Sequence, residues 1–137
     1  MQVLPHRPPF LFIDRVVELA PERIRAVRTF RADEPFFAGH FPGNPVVPGV
    51  LLIEGLAQTM AYHALFHRHA PQTFLVGIEH ARFSGIVLPQ MEVDFEVELG
   101  EERFGLQSGA GTVRVAGKRV ATASLRGYAG PEQSGLT

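Results

Sequence analysis

Residues 48–69 read PGVLLIEGLAQTMAYHALFHRH. Pro48 suits the first turn of a helix, where its missing N–H goes unused. Pro71 stops the run. Most residues between them are good helix formers, and the apolar ones fall on nearly every side. Such a helix is buried on most of its faces. The flanking segments change period. FLFIDRVVEL (10–19), RIRAVRTFR (23–31), TFLVGIEHARF (73–83) and EVDFEVEL (92–99) read as strands, as do residues 103–116 and 118–128. In EVDFEVEL, Val93, Phe95, Val97 and Leu99 share one face and the acids share the other, the pattern of a half-buried antiparallel strand. Ala116-Gly117-Lys118 supplies a hairpin turn. The order β-β-helix-β-β-β-β predicts an α+β fold, an antiparallel sheet wrapped around one long helix. One small sheet does not cover so apolar a helix, so a homodimer is expected. The predicted domain spans residues 1–128, and AGPEQSGLT (129–137) reads as a disordered tail.

The totals narrow the function. The chain has 137 residues, enough for one domain with a real core. Its net charge of −1 gives no reason to bind nucleic acid or an anionic membrane surface. With no cysteine there is neither a disulfide nor a thiolate nucleophile. The apolar stretch from Val46 to Phe66 is broken by Pro48, Glu54, Gln58 and His63, so a buried helix is expected there rather than a membrane span. The N-terminus lacks the basic start and apolar run of a secretory signal, and a cytoplasmic protein is the expectation.

The chemistry concentrates just before the helix and in its first turns. His40 lies in GHFPGNPVVPG, where Pro42, Pro45 and Pro48 stiffen the backbone. A neutral imidazole held there can take a proton near pH 7. Glu54 interrupts an apolar run, with LLI before it and GLA after. A carboxyl in such surroundings must find a partner, and a protonated one can act as a general acid. Gln58, four residues on, lies on the same helix face and can hydrogen-bond it. The amides of Gly49 and Val50 open the helix where the dipole is positive, and Gly49 lets a carbonyl oxygen come close. Base, acid and oxyanion site suit proton abstraction beside a thioester carbonyl followed by loss of a β-hydroxyl as water, with no metal or organic cofactor. Glu54 stands roughly 8 Å along the helix from Gly49, so His40 of one subunit can serve Glu54 of the other across a two-fold axis.

These segments resemble a known family. HFPGNPVVPGVLLIEGLAQ is similar to the signature of 3-hydroxyacyl-acyl-carrier-protein dehydratases of the FabZ type. LPHRPPFLFIDRVVEL resembles that family's N-terminal segment, and GIEHARF resembles its strand after the helix. The resemblance covers residues 4–88 and implies a hot-dog fold. It also implies dimers with active sites across the interface, often three to a hexamer, and a phosphopantetheine-bearing acyl carrier protein as partner. It implies His40 and Glu54 as catalytic residues, Gly49 and then Val50 as oxyanion amides, and Gln58 as support for the carboxyl. The sister dehydratase-isomerases usually carry aspartate at the carboxyl position, so Glu54 favours the plain dehydratase. After Phe83 the chain departs from the family. It reads SGIVLPQM, with Ser84-Gly85 where basic residues are usual and Pro89-Gln90-Met91 in place of a Pro-Gly-Asp turn.

Other signals point to ordinary roles. His63, His67 and His69 crowd the helix end, where the dipole favours them without a metal. Phe10, Phe12, Phe36, Phe37, Phe41 and Phe83 are candidates to line an acyl tunnel, with core packing as the competing role. Arg15, Arg68 and Arg82 are candidates to meet the carrier, with simple surface exposure as the alternative. Two rival functions remain. One is a hot-dog thioesterase, against which His40 speaks. The other is a catalytically weak partner subunit that binds acyl carriers, against which the full His40, Gly49 and Glu54 set speaks.

Overall fold

The computed structural model describes residues 4, 7, 11–38, 43, 45–69 and 72–130. Among these residues the chain forms β1 (Arg15–Leu19), β2 (Arg23–Thr29), a short 3-10 turn (Pro35–Ala38), α1 (Gly49–His67), β3 (Gln72–Phe83), β4 (Glu92–Arg103), β5 (Leu106–Val115) and β6 (Lys118–Gly130). The strands make one sheet in the order β1-β2-β4-β5-β6-β3, with every neighbouring pair antiparallel. α1 packs against β2, β3, β4, β5 and β6. This is the hot-dog arrangement, a helix held along its length by a sheet.

The period-two pattern explains the layering. Ile24 and Ala26 of β2, Val93, Phe95 and Val97 of β4, Val113 of β5 and Leu125 of β6 are buried together. They meet Leu52, Ile53 and Leu56 of α1 in one core. Full burial of each large side chain contributes about 1.5–3 kcal/mol, so this shared face sets the register. Helix and sheet approach closely because glycines stand between them. A Cβ on Gly55 would overlap the Phe95 ring, and one on Gly111 would come within 2.8 Å of Leu56 Cδ1. Asp94 and Glu96 of β4 face outward and are paired. Arg25 Nη2 donates to Asp94 Oδ2 at 2.6 Å and Arg114 Nη1 to Glu96 Oε1 at 2.8 Å. The Arg23 guanidinium holds the Glu18 carboxyl below its ordinary range on the same face.

Boundaries differ from the sequence reading at several strand ends; β2 stops at Thr29 rather than residue 31 and β5 starts at Leu106 rather than residue 103. β1 begins at Arg15 rather than residue 10; Asp14, just before it, still donates its N–H to the Val27 carbonyl of β2 at 2.8 Å and adds side-chain bonds to the same strand. Asp14 Oδ2 accepts from the Thr29 N–H at 2.8 Å and its Oδ1 from Arg28 Nη1 at 3.1 Å. β4 continues past Leu99 to Arg103 and turns through Phe104 (φ 53) and Gly105 (φ 87). β6 runs to Gly130, so Ala129 and Gly130 belong to the sheet and not to a tail. Ala129 is 4% exposed, its N–H donates to the Gly105 carbonyl, and its own carbonyl accepts from Arg68 Nη2. The rest of the expected tail, 131–137, lies outside the described residues. The Ala116 (φ 51) and Gly117 (φ 79) pair forms the expected hairpin turn between β5 and β6.

Candidate active site

The start of α1 is fixed by backbone contacts. Pro48 caps it in an extended conformation with no side-chain cap, and the Leu51 N–H donates to the Pro48 carbonyl at 3.0 Å. Just before it, the Val47 N–H donates to the buried Val87 carbonyl at 2.8 Å. The amides of Gly49 and Val50 therefore open the helix with no intrahelical acceptor, at the positive end of its dipole. Val50 is 72% exposed, so this end is open to an incoming group. Gly49 has no space for a side chain, since a Cβ would stand 2.8 Å from the Phe83 ring.

Glu54 follows in the second turn. Gln58 Nε2 donates to Glu54 Oε2 at 2.9 Å, and Gln58 Oε1 accepts from the Phe12 backbone N–H at 2.9 Å. Gln58 is 1% exposed, which rules out water as the substitute for either bond. Glu54 also lines a cavity of about 320 Å³ between α1 and the sheet, together with Ala57, Met60 and Ala61 of α1, Leu75 of β3 and Gly127 of β6. The helix face along it carries alanine where leucine would close the space, and a Cβ on Gly127 would meet Met60 Cε at 2.9 Å. The arrangement offers a carboxyl, an amide donor pair at a helix start and an apolar cleft of ligand size.

A family model described as a FabA-like domain matches residues 4–124. The chain belongs to the FabA-like family. It is 43% identical over 124 residues to the 3-hydroxyacyl-acyl-carrier-protein dehydratase FabZ of Pseudothermotoga lettingae, covering 90% of this chain and 89% of that one. To the FabZ of Chloroflexus aggregans it is 46% identical over 129 residues, covering 91% and 89%. Among solved structures, the dehydratase heterocomplex ApeI:P from Xenorhabdus doucetiae superposes with a TM-score of 0.85 at 22% identity, over 98% of this chain and 91% of that one.

The remaining site candidates of this FabA-like chain fall into groups. His40, Phe10 and Phe41 lie outside the described residues. Phe12 and Phe37 are buried and Phe36 packs against the same core, in a row of ring contacts through Phe30: Phe12–Phe30 at 6.2 Å, Phe30–Phe36 at 5.8 Å and Phe36–Phe37 at 4.5 Å. They pack behind the site, while other residues line the cavity. Phe83 is half exposed and covers Gly49. Arg15 and Arg82 are exposed, and Arg82 directly precedes Phe83. Arg68 is held at the far end of α1, with Nη2 on the Ala129 carbonyl at 2.9 Å and 3.7 Å from Glu102. His63 is buried, and its Nε2 donates to the Ala20 and Pro21 carbonyls at 2.9 and 3.0 Å. Burial, then the neighbouring His67, pushes its pKa down.

The sequence reading missed how the segment leading to His40 is anchored. Glu34 is 8% exposed, and its Oε2 accepts from Arg28 Nη2 at 2.7 Å and from the Arg31 N–H at 3.0 Å. This ion pair fixes the 3-10 turn that ends two residues before His40. The signal was the period of β2. Arg28 shares the face of Ile24 and Ala26, and an inward cation requires a buried anion.

Proposed function

We propose that the chain removes water from 3-hydroxyacyl thioesters carried on acyl carrier protein, giving trans-2-enoyl thioesters. The observation that carries this reading is Glu54, a carboxyl held by a buried amide beside an apolar cavity and one and a half turns from an open helix start. His40 takes the α-proton. The Gly49 amide, with Val50 second, receives the thioester oxygen as it gains negative charge. Glu54 gives its proton to the β-hydroxyl, which leaves as water. The acyl tail lies along α1 in the cavity, between Glu54 and Ala64. No cofactor takes part.

A second copy of the chain completes the particle. β3 is at the sheet edge, and Phe74, Leu75, Val76, Ile78 and Phe83 on it are 42–51% exposed. An edge this long and apolar is a pairing surface. Pairing β3 with β3 across a two-fold axis covers it and sets His40 of one subunit against Glu54 of the other. Arg82, beside Phe83, is placed to meet an acidic carrier.

The test is water loss from 3-hydroxyacyl-carrier substrates, followed as enoyl absorbance, in wild type, His40→Ala and Glu54→Gln. Activity that collapses in both variants supports the reading. A folded, dimeric wild type that forms no enoyl product but releases free thiol would establish hydrolysis instead.

A further inference from the structure

One buried polar side chain on the cavity wall takes no part in the chemistry at Glu54. Gln107 of β5 lines the cavity and is 8% exposed. It lies on the inward face of β5, at a break where the pairing of β4 with β5 slips between Leu99 and Glu102. Its Nε2 stands 2.8 Å from the Gly100 carbonyl, 2.9 Å from that of Ser108 and 3.4 Å from that of Glu101. Carbonyls only accept, so these three dictate which end of the amide is NH2 and which is oxygen. Nothing among the described residues donates to Oε1, and protein does not fully enclose it. The side left open is the cavity. His63, on the same wall, spends its Nε2 hydrogen on the Ala20 and Pro21 carbonyls and offers the cavity no donor there. Thr73 and Tyr128, also on the lining, carry hydroxyls that act either way and do not set a polarity.

This acceptor lies at the end remote from Glu54. A Cβ on Gly111 would meet Leu56, and one on Gly109 would meet Met60. Two residues along β5 therefore match one turn along α1, which brings Gln107 level with His63 and Ala64. The helix rises roughly 14 Å from Glu54 to His63. An extended chain covers about 3.5 Å in three bonds, so about 12 bonds join the two ends.

We infer that Gln107 Oε1 is a specificity-determining acceptor at the end of the cavity, and that the acyl tail it takes ends in a hydroxyl. This rests on the reading of the cavity as the acyl site. A tail of that length ending in methyl would cover the amide oxygen and leave it unpaired, whereas a hydroxyl pairs it. A hydroxyl on an alkyl chain and one on an aromatic ring present the same donor.

The test uses 3-hydroxyacyl-pantetheine thioesters whose tails reach about 12 bonds past the β-carbon. They end in hydroxyl, methoxy or methyl, in an alkyl and a phenyl-ended series. Methoxy accepts and cannot donate, so it separates polarity from size. Enoyl absorbance in wild type gives kcat/KM. The matching acyl-pantetheine amides without the 3-hydroxyl cannot lose water, and calorimetry gives their Kd. Hydroxyl-ended tails are expected to bind about 10- to 100-fold more tightly than their methoxy and methyl counterparts in at least one series, the effect of pairing a buried acceptor, with kcat/KM raised by a similar factor. The series with the larger preference identifies the carbon frame. In Gln107→Leu the preference is expected to fall to within about threefold; if that variant does not fold, the wild-type comparison decides alone. Equal affinity for the three tail ends in both series, or a preference that survives Gln107→Leu, overturns the inference. Failure here differs from failure of the dehydratase reading. A wild type that forms enoyl product equally well from every tail end sinks only the role of Gln107. One that binds hydroxyl-ended amides selectively and forms no enoyl product sinks the dehydratase and leaves the subsite standing.

Discussion

The two halves of α1 both carry buried polar groups in an apolar helix, and they use them differently. In the first half, Glu54 and Gln58 bond to each other, and the path ends on a carboxyl that can gain or lose a proton. In the second half, His63 ends on the carbonyls of Ala20 and Pro21. Those carbonyls cannot titrate. Burial alone does not separate the halves, since Gln58 and His63 are both under 9% exposed. The destination of the hydrogen bonds separates them. A path that closes on backbone fastens the helix to the sheet, and one that closes on a titratable group adjoining a cavity can do chemistry.

The sharpest break of this contrast exchanges one group from each half. Glu54→Gln keeps size and burial and is expected to lower kcat by about 100-fold or more, the range for removing a general acid, with a small change in melting temperature. His63→Leu is expected to do the reverse: kcat within a few-fold, and a stability loss of about 1–3 kcal/mol as two carbonyls lose their donor. Enzyme kinetics and thermal melts on both variants decide. A dead His63→Leu that melts like wild type would erase the distinction.

The cavity gives a second, smaller test, because it borders both halves. Ala61→Leu fills it from the helix side. It is expected to reduce kcat/KM for the longest accepted acyl chain by about 10- to 100-fold relative to the shortest, since each methylene that no longer fits costs roughly 1–3 kcal/mol. A chain-length series read as enoyl formation measures this directly. A uniform loss across the series would mean the tail lies elsewhere.

His63 also makes the second half sensitive to pH. Its folded pKa lies below the ordinary value, so between that value and about 6.5 the unfolded chain binds the extra proton. Its contribution is fully present above about pH 6.5 and is lost as pH falls through the folded pKa. Melts between pH 8 and pH 5 are expected to show stability falling at the acid end, and the fall is expected to be shallower in His63→Gln. An unchanged slope would place the titrating group elsewhere.

Much of this contrast was legible in the chain. The period of two in EVDFEVEL fixes which strand face is buried, the run PGVLLIEGLAQT, apolar on nearly every side, marks a buried helix, and the order of helix and strands follows. Glu54 stood out because it interrupts leucine and isoleucine, and Gln58 because it lies four residues further on. The hydrogen bond from Phe12 to Gln58 was not legible, since it joins residues 46 apart through a backbone amide that has no sequence signature. The cavity was hidden for a related reason. Its helix wall carries Ala57, Ala61 and Ala64, residues that mark it by volume they do not fill, and its aromatic lining comes from Phe74 and Tyr128 rather than from the phenylalanines that drew attention. Phe12, Phe36 and Phe37 fill the core instead, because β2 and the turn after it place Phe30 among them. The Arg28–Glu34 pair was half legible, as an inward arginine whose partner comes from the following turn.

The smallest effects test whether the start of α1 depends on its surroundings more than the end does. His69, just past the C-cap Arg68, has φ 51, and Gln90 has φ 72. Both adopt a left-handed conformation that favours glycine, at a cost of about 1–2 kcal/mol for a side chain. Replacement by glycine removes that strain but loosens the unfolded chain, leaving an expected gain of roughly 0.5–1 kcal/mol at each site. His69→Gly relaxes the end tied to backbone carbonyls and is expected to leave kcat unchanged. Gln90 lies in the connector that supports the other end: its N–H donates to the Phe30 carbonyl at 2.7 Å, and Val87, three residues earlier, accepts from Val47 beside the helix start. Gln90→Gly is therefore expected to stabilise as much while lowering kcat about twofold, stability gained against a placement the reaction uses. Denaturant titrations and kcat for the two variants measure both terms. Equal, silent gains would show that the Val47–Val87 bond holds the helix start whatever turn follows, and the asymmetry between the ends would then rest on Glu54 and Gln58 alone.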